Sequence, residues 1–199
     1  LPASYQFAQI ESALATMHKV ATDRRSAFQG RLKHYQKQGF PEGINTGRGR
    51  AANYTAVHGI YLALALEFNE LGILPERAIN IYKSQKLFID NAIARAAHDR
   101  LSDEGFELFI YFDPSALNDL RGERPWDDAS MSLGFCRSDR IQEVLEEPHL
   151  PYRRRIAFVN LTTALVSLCQ NLSASRSDDW RDVLGAIRND LWAENSVHP

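Results

Sequence analysis

Along the first twenty residues, Ile10, Leu14, Met17 and Val20 recur at intervals of three and four, the period of one helix face. The spacing predicts an amphipathic helix over residues 5–20, with Ala13 and Ala21 filling narrow gaps. Thr22 or Asp23 can accept a hydrogen bond from the free N–H groups of a second helix, TDRRSAFQGRLKHYQK, which keeps Phe28, Leu32 and Tyr35 on one face. Gly39 and Pro41 stop it. Residues 43–54, GINTGRGRAANY, combine glycines with two arginines and suit a tight hairpin or loop whose tip presents Arg48 and Arg50. In TAVHGIYLALALEFNELG, the positions Val57, Ile60, Tyr61, Leu64, Leu66 and Phe68 nearly cover the circumference, so this helix should be largely buried. Gly72 can close it in the left-handed conformation, and Pro75 suits the first turn of a further helix over 75–99. The apolar stripe of that helix, Ala78, Ile81, Tyr82, Leu87, Phe88, Ile89, Ile93 and Ala97, is long enough for roughly 35 Å of continuous helix.

At SDEG (102–105) the texture changes. FELFIYFDP, SMSLGFC and RRIAFVNL are rich in aromatic and aliphatic residues, partly alternating, and predict three strands. Among them SDRIQEVLEE opens with a Ser–Asp cap and predicts a short helix; TALVSLCQNL and SDDWRDVLGAIRNDLWA predict two more. The fold class expected is α+β, a helical N-terminal part followed by a small antiparallel sheet covered by helices, with domains at 1–99 and 100–199.

With 199 residues, 44% of them hydrophobic and 10% aromatic, the chain can bury a substantial core as one large domain or two small ones. No apolar run approaches the roughly 18 residues that span a bilayer, so no membrane partner is expected. The N-terminal stretch has no basic segment ahead of an apolar core, and Cys136 and Cys169 fall in no CxxC pair and near no His at ligand spacing. A cytoplasmic location, with neither a disulfide framework nor a zinc site, is the expectation.

Charge changes the picture more. The net charge of −2 conceals an asymmetry: residues 1–55 carry eight Lys/Arg against three Asp/Glu, a local charge of +5 that leaves −7 on the remainder. A basic module on an otherwise acidic chain suits a polyanionic partner. Within it, a helix with cations on its exposed face fits the major groove of duplex DNA, where Arg donates two hydrogen bonds to guanine and Gln two to adenine. Arg24, Arg25 and Gln29 occupy the N-terminal half and are expected to meet base edges. Arg31, Lys33, Lys37, Arg48 and Arg50 are then left for phosphates.

Three ordered signatures give this stretch a family likeness: Tyr35, Gly39, Phe40 and Pro41; then Gly49, Arg50 and Tyr54; then Glu70, Leu71, Gly72 and Ile73. The first 85 residues thus resemble the MerR-type winged-helix family of bacterial DNA-binding regulators. The resemblance implies a winged helix-turn-helix, sequence-specific binding to double-stranded DNA, regulation of transcription, and a homodimer on a palindromic site. It implies no enzymatic activity and no cofactor. The family's cysteine-ligated sensor loop has no counterpart, since Cys136 and Cys169 lie far apart.

Bland alternatives stand beside these readings. Tyr54 is more readily a core anchor than a phosphate donor, and His34 and His58 form no metal pair on one helix face. Asp113, Asp119, Asp127 and Asp128, beside Arg121 and Arg124, define the runner-up enzyme, a metal-dependent phosphoester hydrolase, although Asp beside Pro, Gly and Ser is ordinary turn chemistry. A third reading is a protein-interaction module, with residues 100–199 as a dimerisation or sensor domain that pairs two chains, receives a small-molecule effector or binds a protein partner, and Trp126, Trp180 and Trp192 as anchors.

Overall fold

The computed structural model describes residues 4–44, 52–114, 133–146, 155–176 and 178–196. It is α+β, and the described residues form eight α-helices and one three-stranded antiparallel sheet. The chain divides into two compact units, one of residues 1–64 with 163–199 and the other of residues 65–162.

The first unit opens with α1 (Phe7–Met17) and α2 (Arg25–Lys37). Ile10, Ala13 and Leu14 of α1 and Phe28, Leu32 and Tyr35 of α2 are buried, as their spacing requires. α1 stops three residues short of the expected end. Lys19 takes a left-handed φ of 51°, the Val20 N–H donates to the Ala15 carbonyl at 2.8 Å, and the last carbonyls are satisfied without a glycine. Gly39 after α2 (φ 75°) does the same job, with Phe40 N–H donating to the Tyr35 carbonyl and the two rings 5.8 Å apart. The expected capping of α2 by Thr22 or Asp23 is not found. Those residues form a 3₁₀ turn, Thr22–Arg24, and neither Ala21 nor Arg24 caps through its side chain.

α3 (Ala56–Glu70) starts in this unit behind a reciprocal cap: Thr55 Oγ1 accepts from the His58 N–H at 3.3 Å, and His58 Nδ1 accepts from the Thr55 N–H at 3.1 Å. Gly59 lets the α3 backbone approach its neighbours. A Cβ there would stand 3.3 Å from both Ile10 Cδ1 and Leu168 Cδ2. The unit is completed by α7 (Leu161–Ala174), most of which lies in it, and α8 (Trp180–Ser196), whose Leu165, Leu168, Cys169, Leu172, Leu184, Ile187 and Leu191 are fully buried. Asp179 caps α8, its Oδ1 accepting from the Arg181 N–H at 2.9 Å.

In the second unit Gly72 (φ 82°) closes α3 and Pro75 opens α4 (Pro75–Ser84), both as expected. The continuous 75–99 helix is not formed. Gln85 (φ −118°, ψ 20°) ends α4 and precedes α5 (Lys86–Leu101). Ser84 Oγ donates to the Ile81 carbonyl, competing with the helical ladder within the polar run KSQK. The break leaves Leu87 exposed rather than in the apolar stripe.

All three expected strands form: β1 (Leu108–Phe112), β2 (Gly134–Arg137) and β3 (Ala157–Asn160), in the order β2-β1-β3. Leu108, Ile110, Phe112 and Val159 turn inward, and Phe112 meets Phe68 edge-on at 5.0 Å. On the opposite face Tyr111 pairs with Gly134, and its ring fills the space a Cβ would take there, which is why that position is glycine. The 3₁₀ turn Ser138–Arg140 leads into α6 (Ile141–Glu146), with no side-chain cap from Arg137, the residue before the turn.

Candidate nucleic-acid interface

The face of α2 opposite Phe28, Leu32 and Tyr35 is polar and cationic. Arg31, Lys33, His34 and Lys37 are exposed on it, with the small residues Ser26, Ala27 and Gly30 between or before them. Gly30 has open space where a Cβ would stand, so a partner can approach the helix backbone closely at that point. His34 Nε2 and Gln38 Nε2 lie 2.8 Å apart on the same side.

The residues expected at base edges differ from one another in their surroundings. Arg24 is three-quarters exposed and makes a 3.4 Å contact with the equally exposed Asp23, a weak pairing in water. Gln29 is half-buried at the flank of the face. Arg25 instead turns toward α1, its Nε 2.9 Å from Glu11 Oε1 and a second nitrogen donating to Oε2 at 3.1 Å. Glu11 is buried, so this ion pair, with its one hydrogen bond to Oε2, ties α2 to α1 and draws the guanidinium off the open face. Sequence spacing could not show it, because Glu11 and Arg25 are fourteen residues apart across a turn.

Arg48 and Arg50 lie outside the described residues, but the base of their segment does not. Tyr5 and Tyr54 form an antiparallel bridge, with N–H donating to carbonyl in both directions at 2.7 and 2.9 Å. Tyr54 is buried between Phe7 (ring centroids 6.2 Å apart) and His58 (6.4 Å), the position of an anchor. His58 itself serves the α3 cap.

Other chemistry is sparse among the described residues. Cys136 and Cys169 are free and buried. His98, Asp99 and Glu104 bring three possible ligand atoms within 4.8 Å, but the Arg95 guanidinium already bridges the two carboxylates, 2.7 Å from Asp99 and 4.0 Å from Glu104. Of the hydrolase candidates only Asp113 is described; Asp119, Arg121, Arg124, Asp127 and Asp128 lie outside the described residues, as does Trp126. Trp180 and Trp192 belong to α8, each with an arginine over its ring. No helix among the described residues is long and apolar enough to cross a membrane.

Burial pushes the Cys169 thiol up to about 12 and the Tyr54 phenol likewise to about 12. The folded chain therefore keeps protons that an unfolded chain releases above about pH 8.5 for Cys and about pH 10 for Tyr. This stability is complete below those values and is lost as pH rises toward 12. Urea unfolding should show stability falling from about pH 9, at up to about 1.4 kcal/mol per pH unit for each group. Cys169→Ala should flatten the slope between about pH 9 and 10, and an unchanged slope there would contradict the assignment.

Comparison of the chain with protein-family models, with curated proteins and with solved structures finds no match.

Proposed function

We propose that the chain is a sequence-specific regulator of transcription in the cytoplasm that binds duplex DNA through a MerR-like winged helix-turn-helix, as a homodimer on a palindromic site. One observation carries the reading. α2 follows α1 across a short turn, gives Phe28, Leu32 and Tyr35 to the core, and leaves Arg31, Lys33 and Lys37 on its outer face. An α-helix so mounted can enter a major groove without disturbing its own packing. The Tyr5–Tyr54 bridge supports the reading further, since it ties Tyr54, just past the segment carrying Arg48 and Arg50, to the strand-like residue ahead of α1. In this account Arg24 and Gln29 read bases, the other cations hold phosphates, and Arg25 sets the angle between α1 and α2.

Sequencing genomic DNA recovered on the purified protein tests the proposal. The expected result is enrichment of one palindromic motif with half-sites about one helical turn apart; fragments without a shared motif would contradict it.

Arg25→Ala separates the two roles open to that residue. It leaves the buried Glu11 carboxylate without its partner and should cost about 2–3 kcal/mol of stability, below the range for fully buried pairs because Arg25 is about one-third exposed. Chemical unfolding measures this directly. Unchanged stability with a relaxed base preference would return Arg25 to the reading of bases.

A further inference from the structure

Among the described residues only two that are not glycine take a positive φ, Lys19 (51°) and Asp103 (52°). Aspartate enters the left-handed region with help from its short polar side chain, which hydrogen-bonds locally, whereas lysine has no such help and its Cβ crowds the following carbonyl. The chain gives this task to glycine elsewhere: Gly39 follows α2 at φ 75° and Gly72 follows α3 at φ 82°. After α1 the turn closes on Lys19 instead, with its N–H donating to the Thr16 carbonyl at 3.1 Å and the Val20 N–H to the Ala15 carbonyl at 2.8 Å. Those bonds belong to the backbone and would form equally around glycine. The strain therefore points to a use for the Lys19 side chain.

That use is not a contact within the described residues. Lys19 is exposed, and among those residues its ammonium meets no carboxylate, carbonyl or ring. A cation at a helix C-terminus gains from the helix dipole, but exposed to water and salt that gain is small. Arg31, Lys33 and Lys37 of α2 are unpaired in the same way, whereas Lys86, Arg95, Arg137, Arg140 and Arg176 each hold a carboxylate. The unpaired charge thus extends from the outer face of α2 into the turn ahead of it. Arg24 follows Lys19 by five residues, at most about 18 Å of extended chain. A helix that enters a major groove about 12 Å wide by its N-terminal half brings the segment leading into it alongside one sugar-phosphate strand.

We propose that Lys19 binds a phosphodiester of the DNA strand bordering the groove that α2 enters, contributing charge and no base preference. The inference rests on the reading of α2 as a groove-entering helix. It adds a sixth cation on phosphate to Arg31, Lys33, Lys37, Arg48 and Arg50, and it accounts for a lysine where the backbone favours glycine.

Fluorescence anisotropy of the full chain on a labelled duplex of random sequence, about 20 base pairs long, across a series of salt concentrations tests the role. Lys19→Gly relaxes the turn and removes the charge. Its melting temperature should equal or exceed that of the unsubstituted chain, while affinity at about 0.1 M salt falls about fivefold to tenfold and the slope of log affinity against log salt becomes shallower by about 0.9. Lys19→Asn, uncharged and tolerant of the left-handed conformation, should lose the same affinity, and Lys19→Arg should keep affinity within about twofold. Weaker binding at undiminished stability is a result that a purely structural lysine does not give. Lys19→Gly with unchanged affinity and slope would overturn the proposal; if its melting temperature also fell, Lys19 would serve the α1 dipole instead. In both of those outcomes the unsubstituted chain still binds with a steep salt slope, and the reading of α2 stands. An unsubstituted chain without salt-dependent binding would remove that reading, and the role of Lys19 with it.

Discussion

Exchanging Arg31, Lys33 and Lys37 together for Gln is expected to weaken binding to every duplex, specific or random, by on the order of 10²–10³-fold at about 0.1 M salt. The size follows from counterion release. Each cation that neutralises a phosphate displaces close to one condensed ion, and at that salt the release contributes nearly tenfold in affinity. Three such contacts multiply. All three side chains are exposed on the outer face of α2, so their loss leaves the core untouched, and Gln nearly matches Lys and Arg in helix propensity. Chemical unfolding should therefore move by no more than about 0.5 kcal/mol. Binding isotherms on the recovered motif and on a scrambled duplex give the comparison. A loss confined to the motif would mean that these residues read bases instead of holding phosphates.

The largest loss of stability from a single substitution should come from Tyr54→Ala, at about 3–5 kcal/mol. The ring is 2% exposed and packs between Phe7 and His58, and its backbone carries both hydrogen bonds of the Tyr5 bridge. Truncation opens a cavity under that bridge and loosens the end of the segment bearing Arg48 and Arg50. DNA affinity should therefore fall together with stability. Tyr54→Phe keeps the ring and should retain most of both. If Tyr54→Phe alone abolished DNA binding at unchanged stability, the phenol would be a phosphate donor and the anchoring role would fail.

Much of the secondary structure was legible because each element carries its own period. Ile10 and Leu14 in α1, the buried circumference of α3, and the aromatic runs of β1, β2 and β3 read directly from local sequence. So did the glycines that close helices, Gly39 and Gly72. Where local residues compete, the reading failed. Lys19 stops α1 in a conformation usually left to glycine, and Ser84 and Gln85 interrupt an apolar stripe that continues across them. Thr55 and His58 form a cap whose fourth residue is His in place of the usual Glu or Gln, so no capping signature stood out.

The candidate interface divides along the same line. Which α2 residues face outward follows from Phe28, Leu32 and Tyr35, and the structure agrees for Arg31, Lys33 and Lys37. The capture of Arg25 by Glu11 is a contact between helices that no spacing rule contains. The Tyr5–Tyr54 bridge likewise depends on segments far apart in the chain.

The central claim is that the basic module meets duplex DNA, and its most direct test is the affinity of the full chain for duplex DNA measured across a series of salt concentrations. With about six phosphates neutralised per protomer, a plot of log affinity against log salt should be linear with a slope near −5. A flat plot, or no binding at the lowest salt, would contradict it.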